Sequence, residues 1–121
     1  MNPYQEQAGL IKAMAHPTRL RILDILSRGE ACVCHLTTIL KHRQPNISQH
    51  LMVLREAGLV YDRRDGVVVY YRLADDRTAQ VIALTREILR ARGIEVEVPL
   101  IPMSPMKGCP CPKCVSGDSC V

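Results

Sequence analysis

The chain has 121 residues, a formal net charge of +4 and 47% hydrophobic residues, with no Trp, no Phe and four Tyr. This length supports one small domain, and an apolar fraction poor in aromatic residues builds its core from Leu, Ile, Val, Ala and Met, which favours helices. Because no apolar run approaches the roughly 20 residues of a membrane span and no apolar leader is recognised, we expect a cytoplasmic protein without a membrane partner.

Three helices are predicted in the first third of the chain. Apolar residues recur at helical spacing over residues 4–15. Pro17 suits the first position of a second helix, and Gly29 ends that helix. A third amphipathic helix follows at about residues 32–41. The first part of the chain is therefore predicted to be helical throughout.

A fourth predicted helix begins near Pro45 and ends at Gly58. Its apolar stripe consists of Ile47, Leu51 and Leu54, at spacings i, i+4 and i+7. Outside that stripe lie hydrogen-bonding side chains of a length that reaches base edges in the DNA major groove. We predict that these side chains contact DNA: Asn46, Ser48, Gln49 and His50.

The periodicity changes from 3.6 to 2 after Leu59, which indicates strands. Asp65-Gly66 is a strong hairpin signal between two strands of alternating residues. The hairpin has a basic tip, and basic residues also flank it in the sequence. We predict that these side chains bind DNA phosphates: Arg55, Arg63 and Arg64, with Lys41 and Arg43 nearby.

A last helix is predicted over about residues 76–92, and the composition changes after Gly93. Residues 99–112 contain five of the eight prolines, and residues 109–120 contain four of the six cysteines. This tail has too little apolar periodicity to build a core of its own. We therefore predict a DNA-binding and dimerisation domain over residues 1–93 and a flexible Pro/Cys-rich tail over residues 94–121.

The order α-α-α-α-β-β-α predicts a mainly α winged helix-turn-helix, in which the fourth helix is the recognition helix. The alternative is a small helical domain whose polar residues are merely solvated. A domain of this size does not bury the apolar stripes of both its first and its last helix. We therefore expect a homodimer.

Three segments, residues 15–23, 47–60 and 66–73, resemble the ArsR/SmtB family of metal-sensing transcriptional repressors. They are similar to that family's second helix, recognition helix and wing, within a resemblance that covers about residues 5–92. The resemblance implies a winged-helix homodimer paired mainly through its first and last helices. It also implies binding to an inverted-repeat operator in double-stranded DNA, and release when a ligand binds.

Cys32 and Cys34 resemble the family's arsenic- and cadmium-type box, Cys-Val-Cys. The chain departs from that box at His35, where an acidic residue is usual, and at Thr37, where arsenic-sensing members often carry a third cysteine. A trigonal thiolate site needs three ligands. We predict that the third comes from the tail cysteines Cys109, Cys111 and Cys114 rather than from Cys120.

Thiolate ligands suit soft ions, so we expect arsenic(III) or antimony(III) as inducer, with cadmium, lead and zinc as alternatives. On an ideal helix, residues i and i+2 point about 200° apart, whereas one ion needs its sulfur ligands within about 4 Å of each other. Binding is therefore expected to bend or unwind the start of the third helix.

Other readings of the cysteines remain open from the sequence. Cys32 and Cys34 fit a thiol redox switch, or the role of small buried apolar residues. The tail fits an independent metal knuckle or an incidental thiol cluster, and a small-molecule thiol is an alternative third ligand. A metal-buffering protein is a further alternative. No catalytic arrangement is recognised, so we do not expect an enzyme.

Overall fold

A computed structural model describes residues 2–96 of the chain. The described elements, in chain order, are α1 (Pro3–Met14), α2 (Pro17–Leu26), β1 (Ala31–Cys32), α3 (Val33–Leu40), α4 (Gln44–Glu56), β2 (Val60–Asp65), β3 (Val68–Leu73) and α5 (Arg77–Ala91). This order confirms the predicted winged helix-turn-helix. It adds β1, a short strand that the sequence did not predict.

Local hydrogen bonds fix the starts of the first two helices. At α1, Asn2 Oδ1 accepts from the Gln5 backbone N–H at 2.9 Å, and Gln5 Oε1 accepts from the Asn2 N–H at 3.1 Å, which forms a capping box. At α2, His16 Nδ1 accepts from the Thr18 N–H at 3.1 Å, and Pro17 occupies the first helical position as predicted. The break between α1 and α2 is therefore determined locally.

The three strands form an antiparallel sheet in the order β1-β3-β2. In β1, Cys32 pairs with Tyr70 of the central strand β3. On the other edge of β3, Tyr70 pairs with Arg63 of β2. The sheet therefore connects the segment that carries the first cysteine directly to the predicted wing, which is the hairpin of β2 and β3.

The core lies where α2, α3 and α4 meet. Its fully buried side chains include the predicted stripe of the fourth helix, together with residues of α2 and α3: Ile22, Leu23, Leu36, Ile47, Leu51 and Leu54. Each buried Leu or Ile contributes about 1.5–3 kcal/mol through loss of water contact. The stripe of α4 thus fixes the orientation of the recognition helix, and its polar face is directed outward.

Two helices carry large apolar side chains on the surface. Leu10 and Ile11 of α1 are 44% and 52% exposed, and Leu84 and Ile88 of α5 are 56% and 53% exposed. Between residues 2 and 96, each helix is too short or too polar to cross a bilayer. The predicted domain boundary after residue 93 stays a prediction. Cys109, Cys111 and Cys114 lie outside the described residues.

Candidate DNA interface and thiol site

The outward face of α4 carries three of the predicted base-contacting side chains. Asn46, Ser48 and Gln49 are exposed, whereas Ile47 between them is fully buried. Lys41 and Arg43 are exposed in the turn before the helix, and Lys41 ends α3 in the left-handed conformation at φ 55°. A polar helix face preceded by basic residues has the chemistry of a major-groove reader.

His50 occupies a different environment from the other residues of the predicted reading face. It is half-buried, its ring centroid lies 4.4 Å from that of His16, and its Nδ1 accepts from Arg19 Nη1 at 3.3 Å. Arg19 Nε also donates to the Ala13 carbonyl at 2.6 Å. His50 therefore connects α4 to the junction of α1 and α2. A base contact from His50 stays a prediction.

The pKa values of two imidazoles are lowered in the folded state. Burial lowers the pKa of His50, and the neighbouring His16, Arg19 and His42 lower it further. Burial alone lowers the pKa of His35, which is fully buried in α3. Both side chains therefore favour the neutral form more strongly in the folded protein than in the unfolded chain.

We expect the free energy of unfolding to decrease as the pH falls below about 6.5. The folded state holds both imidazoles below this ordinary pKa, so the unfolded chain binds more protons at acidic pH. Urea unfolding at fixed protein concentration between pH 7.5 and 5 measures the decrease. His50→Gln is expected to make the pH dependence shallower, and an unchanged pH dependence in this variant would exclude His50 as a contributor.

The predicted phosphate-binding residues of the wing lie on opposite faces of the sheet. Arg55 of α4 forms an ion pair with Asp62 of β2 at 3.2 Å, so Asp62 faces the recognition helix. Side chains alternate along a strand, which places Arg64 on the same face. Tyr71 pairs with Asp62 across the two strands, and its pKa is raised first by burial and then by Asp62, while Arg55 and Arg64 oppose the rise.

Arg63 faces the other side of the sheet, away from the recognition helix. Its guanidinium lies 4.7 Å from the ring centroid of Tyr70. It also binds the Glu30 carboxylate with two hydrogen bonds, at 2.6 Å from Nη2 and 3.1 Å from Nε. The bond to Glu30 raises the pKa of Arg63. Arg63 and Arg64 are therefore not equivalent, although the sequence predicted the same role for both.

Cys32 and Cys34, the thiol pair, lie together at the start of α3. Their Sγ atoms are 2.6 Å apart. Cys32 is fully buried and is the N-cap of α3, in an extended conformation, and its Sγ accepts from the His35 N–H at 3.1 Å. Cys34 is half-buried in the first turn. The two thiols have the proximity that a shared soft ion requires.

The expectation that an ion must bend or unwind the third helix is wrong. It assumed that both cysteines lie within a helix that begins at residue 32. The helix begins at Val33, and Cys32 precedes it in β1 with φ −81° and ψ 159°. The extended backbone turns the Cys32 side chain toward Cys34, so the two sulfurs converge without any loss of helix.

The thiol pair does not complete a metal site within the described range. No third Cys, His, Asp or Glu between residues 2 and 96 joins it in a cluster able to bind an ion. Thr37 takes up the position one turn after Cys34, and its Oγ1 donates to the Cys34 carbonyl at 2.8 Å. The described residues thus bring two thiols together.

Comparisons with known proteins identify the family to which the fold belongs. The family model for bacterial regulatory proteins of the arsR family matches residues 16–62. An HTH-type transcriptional regulator of Methanocaldococcus jannaschii is 42% identical over 89 residues, which are 73% of this chain and all of that protein. The arsenical resistance operon repressor of Escherichia coli is 44% identical over 89 residues, 73% of this chain and 76% of that protein.

A solved structure from Mycobacterium bovis, described as a homodimeric winged helix-turn-helix DNA-binding domain, has the same fold. It aligns with a TM-score of 0.66 and 31% identity, over 78% of this chain and 90% of that one. The resemblance that the sequence motifs indicated is thereby confirmed. The chain belongs to the arsR family of winged helix-turn-helix transcriptional regulators, which are DNA-binding proteins and not enzymes.

Proposed function

We propose that this chain represses transcription as a homodimer on an inverted-repeat operator and leaves the DNA when arsenite or antimonite binds its thiols. The observation that carries the proposal is the pair of sulfurs of Cys32 and Cys34, which meet at 2.6 Å on the segment that joins the sheet to α3. Soft trivalent metalloids prefer thiolate ligands. The Escherichia coli relative, named as an arsenical resistance operon repressor, supports this ligand class.

The third thiolate is proposed to come from Cys109, Cys111 or Cys114. The thiol pair offers two ligands, and the described residues add no third. Residues 93–109 span on the order of 50 Å when extended, at about 3.3 Å per residue, which is enough to reach the thiol pair of either protomer. Several cysteines within a few residues also raise the local ligand concentration.

On DNA, the proposed base contacts come from Asn46, Ser48 and Gln49, with His50 packed behind them. Arg64 lies on the side of the wing that faces α4, and Arg55 of α4 contacts the same side through Asp62. We place the phosphates that flank the major groove against these two side chains. Side chains of this kind orient the protein on the backbone while the helix reads the bases. The reading helix and the thiol pair are thus separate sites on one small domain.

The test is an operator gel shift with DNA from upstream of the chain's own gene. Arsenite, antimonite, cadmium, lead and zinc are titrated in parallel, in buffer free of thiols. We expect arsenite and antimonite to release the wild-type protein at the lowest concentrations. Release by cadmium, lead or zinc but not by arsenite or antimonite would contradict the proposed inducer.

The matched variant replaces Cys109, Cys111 and Cys114 with Ser in the full chain. It is expected to bind the operator normally and to lose release by arsenite in thiol-free buffer. Adding Thr37→Cys to it is expected to restore release, because residue 37 lies one helical turn from Cys34. Full release of the triple variant would show that these tail cysteines are dispensable.

A thiol redox switch is the second candidate, because two sulfurs in contact also favour a disulfide. Under this mechanism a thiol oxidant without any metal would release the protein, and dithiothreitol would restore binding. The same gel shift separates the two candidates, since arsenite binding leaves the thiols at the same oxidation state.

Dimerisation is expected to depend on the apolar surface of α1 and α5. Leu84→Glu puts a charge onto a side chain that is 56% exposed in one protomer. In a symmetric dimer the change occurs twice, so we expect a loss of about 3 kcal/mol or more, roughly 100-fold in the dimer dissociation constant. Light scattering should show the wild type near twice 13.6 kDa and Leu84→Glu shifted toward the monomer.

Val67→Glu is the matched control for the dimer, because Val67 is 98% exposed at the wing tip. It introduces the same charge in the turn between β2 and β3, outside α1 and α5. A wild-type monomer at micromolar concentration, or equal dissociation of both variants, would contradict the assignment of the interface.

A further inference from the structure

The ion pair between Glu30 and Arg63 joins the segment before the thiol pair to the wing. Glu30 lies two residues before Cys32, whereas Arg63 lies 33 residues from Glu30, on β2. The contact is bidentate, and the Glu30 side chain is only 19% exposed, against 49% for Arg63. Two parallel hydrogen bonds to a planar guanidinium fix orientation as well as distance.

Tyr70 of the central strand joins the same two segments by backbone pairing. It pairs with Cys32 on one edge of β3 and with Arg63 on the other edge. Tyr70 is 1% exposed, and the Arg63 guanidinium lies over its ring. Glu30, Cys32, Tyr70 and Arg63 therefore form a closed circuit of backbone pairing, ring contact and ion pairing on the sheet face opposite the recognition helix.

A change at the thiol pair has a direct route through this circuit. One ion that binds both sulfurs sets their separation near 4 Å and requires the Cys32 side chain to shift to admit it. Cys32 is fully buried, so a shift of its side chain also displaces the groups packed around it. Close-packed groups transmit such a displacement to their neighbours. The neighbours here are Ala31 and Glu30 along the chain and Tyr70 across the sheet.

The far end of the route is the face of β2 that carries Arg64. Arg63 and Arg64 are adjacent in one strand, so a rotation of the strand at Arg63 also moves Arg64. Arg64 shares its face with Asp62, which is tied to Arg55 of the recognition helix at 3.2 Å. A shift of β2 thus changes the wing and the end of α4 together.

We propose that Glu30 and Arg63 are a positioning pair that couples occupancy of the thiol pair to the orientation of the wing on DNA. The inference rests on the proposed function of Cys32 and Cys34 as ligands. It assigns to Arg63 a role in the response to the inducer, which distinguishes it from Arg64. It also assigns a role to Glu30, which no sequence pattern indicated.

The test measures a coupling factor, defined as the operator Kd with saturating arsenite divided by the Kd without it. Fluorescence anisotropy on the full-length protein gives both values, and loss of reactive thiols reports arsenite binding separately. Glu30→Gln keeps the shape of the side chain and removes its charge. We expect this variant to bind arsenite as the wild type does, while its coupling factor falls about tenfold, within the range typical of allosteric coupling.

Asp75→Asn is the matched control, because Asp75 and Arg77 form another bidentate ion pair with a shortest contact of 2.6 Å, between residues only two positions apart in the chain. Its coupling factor is expected to stay within about twofold of the wild type. The charge exchange Glu30→Arg with Arg63→Glu is expected to recover most of the coupling lost in Glu30→Gln. This exchange also tests the pair if the single variant does not fold.

Each other outcome overturns the inference in a recognisable way. A wild-type coupling factor in Glu30→Gln would show that the ion pair does not couple arsenite binding to the orientation of the wing. Loss of arsenite binding in Glu30→Gln would show that Glu30 acts on the ligand site itself. A wild-type protein that does not bind arsenite, or is not released by it, would instead overturn the proposed function, and the inference with it.

Discussion

Cys32→Ser is expected to give a protein that remains on its operator in the presence of arsenite. Serine removes the soft ligand, and an oxygen does not replace a thiolate toward a trivalent metalloid. We expect operator affinity within about twofold of the wild type, since Ser is itself a favoured N-cap and accepts from the His35 N–H as the thiol does. Release by arsenite, expected to be on the order of 50-fold in the wild type, should disappear.

Cys34→Ser is expected to behave in the same way, and Cys120→Ser is the matched control. Cys120 lies outside the proposed ligand set, so its loss should leave release intact. The measurement is the operator Kd by anisotropy with and without arsenite, in thiol-free buffer. Persistent release of Cys32→Ser would mean that the thiol pair is not the sensor.

Gln49→Ala is expected to reduce discrimination between the operator and a copy with one changed base pair. Gln49 is exposed on α4 next to the buried Ile47, and an amide that pairs with a base edge contributes about 1–3 kcal/mol to discrimination. The loss is therefore roughly 5- to 150-fold in the ratio of the two Kd values. Anisotropy titrations on both DNA molecules measure this ratio.

Arg64→Ala provides the contrast, because a phosphate contact carries no sequence information. We expect this variant to bind both DNA molecules more weakly by the same factor. The slope of the logarithm of the binding constant against the logarithm of the salt concentration should decrease in magnitude by about 1. If Gln49→Ala had this uniform effect instead, α4 would not be the reading helix.

The sequence predicted the helices well because their signals are local. The apolar stripe of α4, Pro17 at the start of α2 and Asp65-Gly66 at the hairpin each depend on residues within a few positions of one another. The third helix was predicted to begin at residue 32, whereas α3 begins one residue later, at Val33. The residue left outside the helix is Cys32, and the difference decides how the two sulfurs are placed.

The features that the sequence did not reveal depend on distant pairing. β1 has only two residues, and it is a strand because Ala31 and Cys32 pair with Tyr71 and Tyr70 about 40 positions later. The contact of Glu30 with Arg63 and that of Arg19 with His50 join residues 33 and 31 positions apart. Propensity and periodicity carry no information on such contacts. They became visible only when the fold brought the elements together.

In the proposed mechanism, the capping role of Cys32 separates ligand sensing from folding. The N-cap position of α3 requires a short side chain that accepts one backbone hydrogen bond, which Cys32 does here and which Ser, Asp and Asn also do. The helix start is therefore stabilised by either a sulfur or an oxygen acceptor, whereas a soft ion prefers the sulfur as a ligand. The proposed response to soft ions is therefore expected to be lost or regained by substitution of this one residue, while the DNA-binding scaffold stays the same.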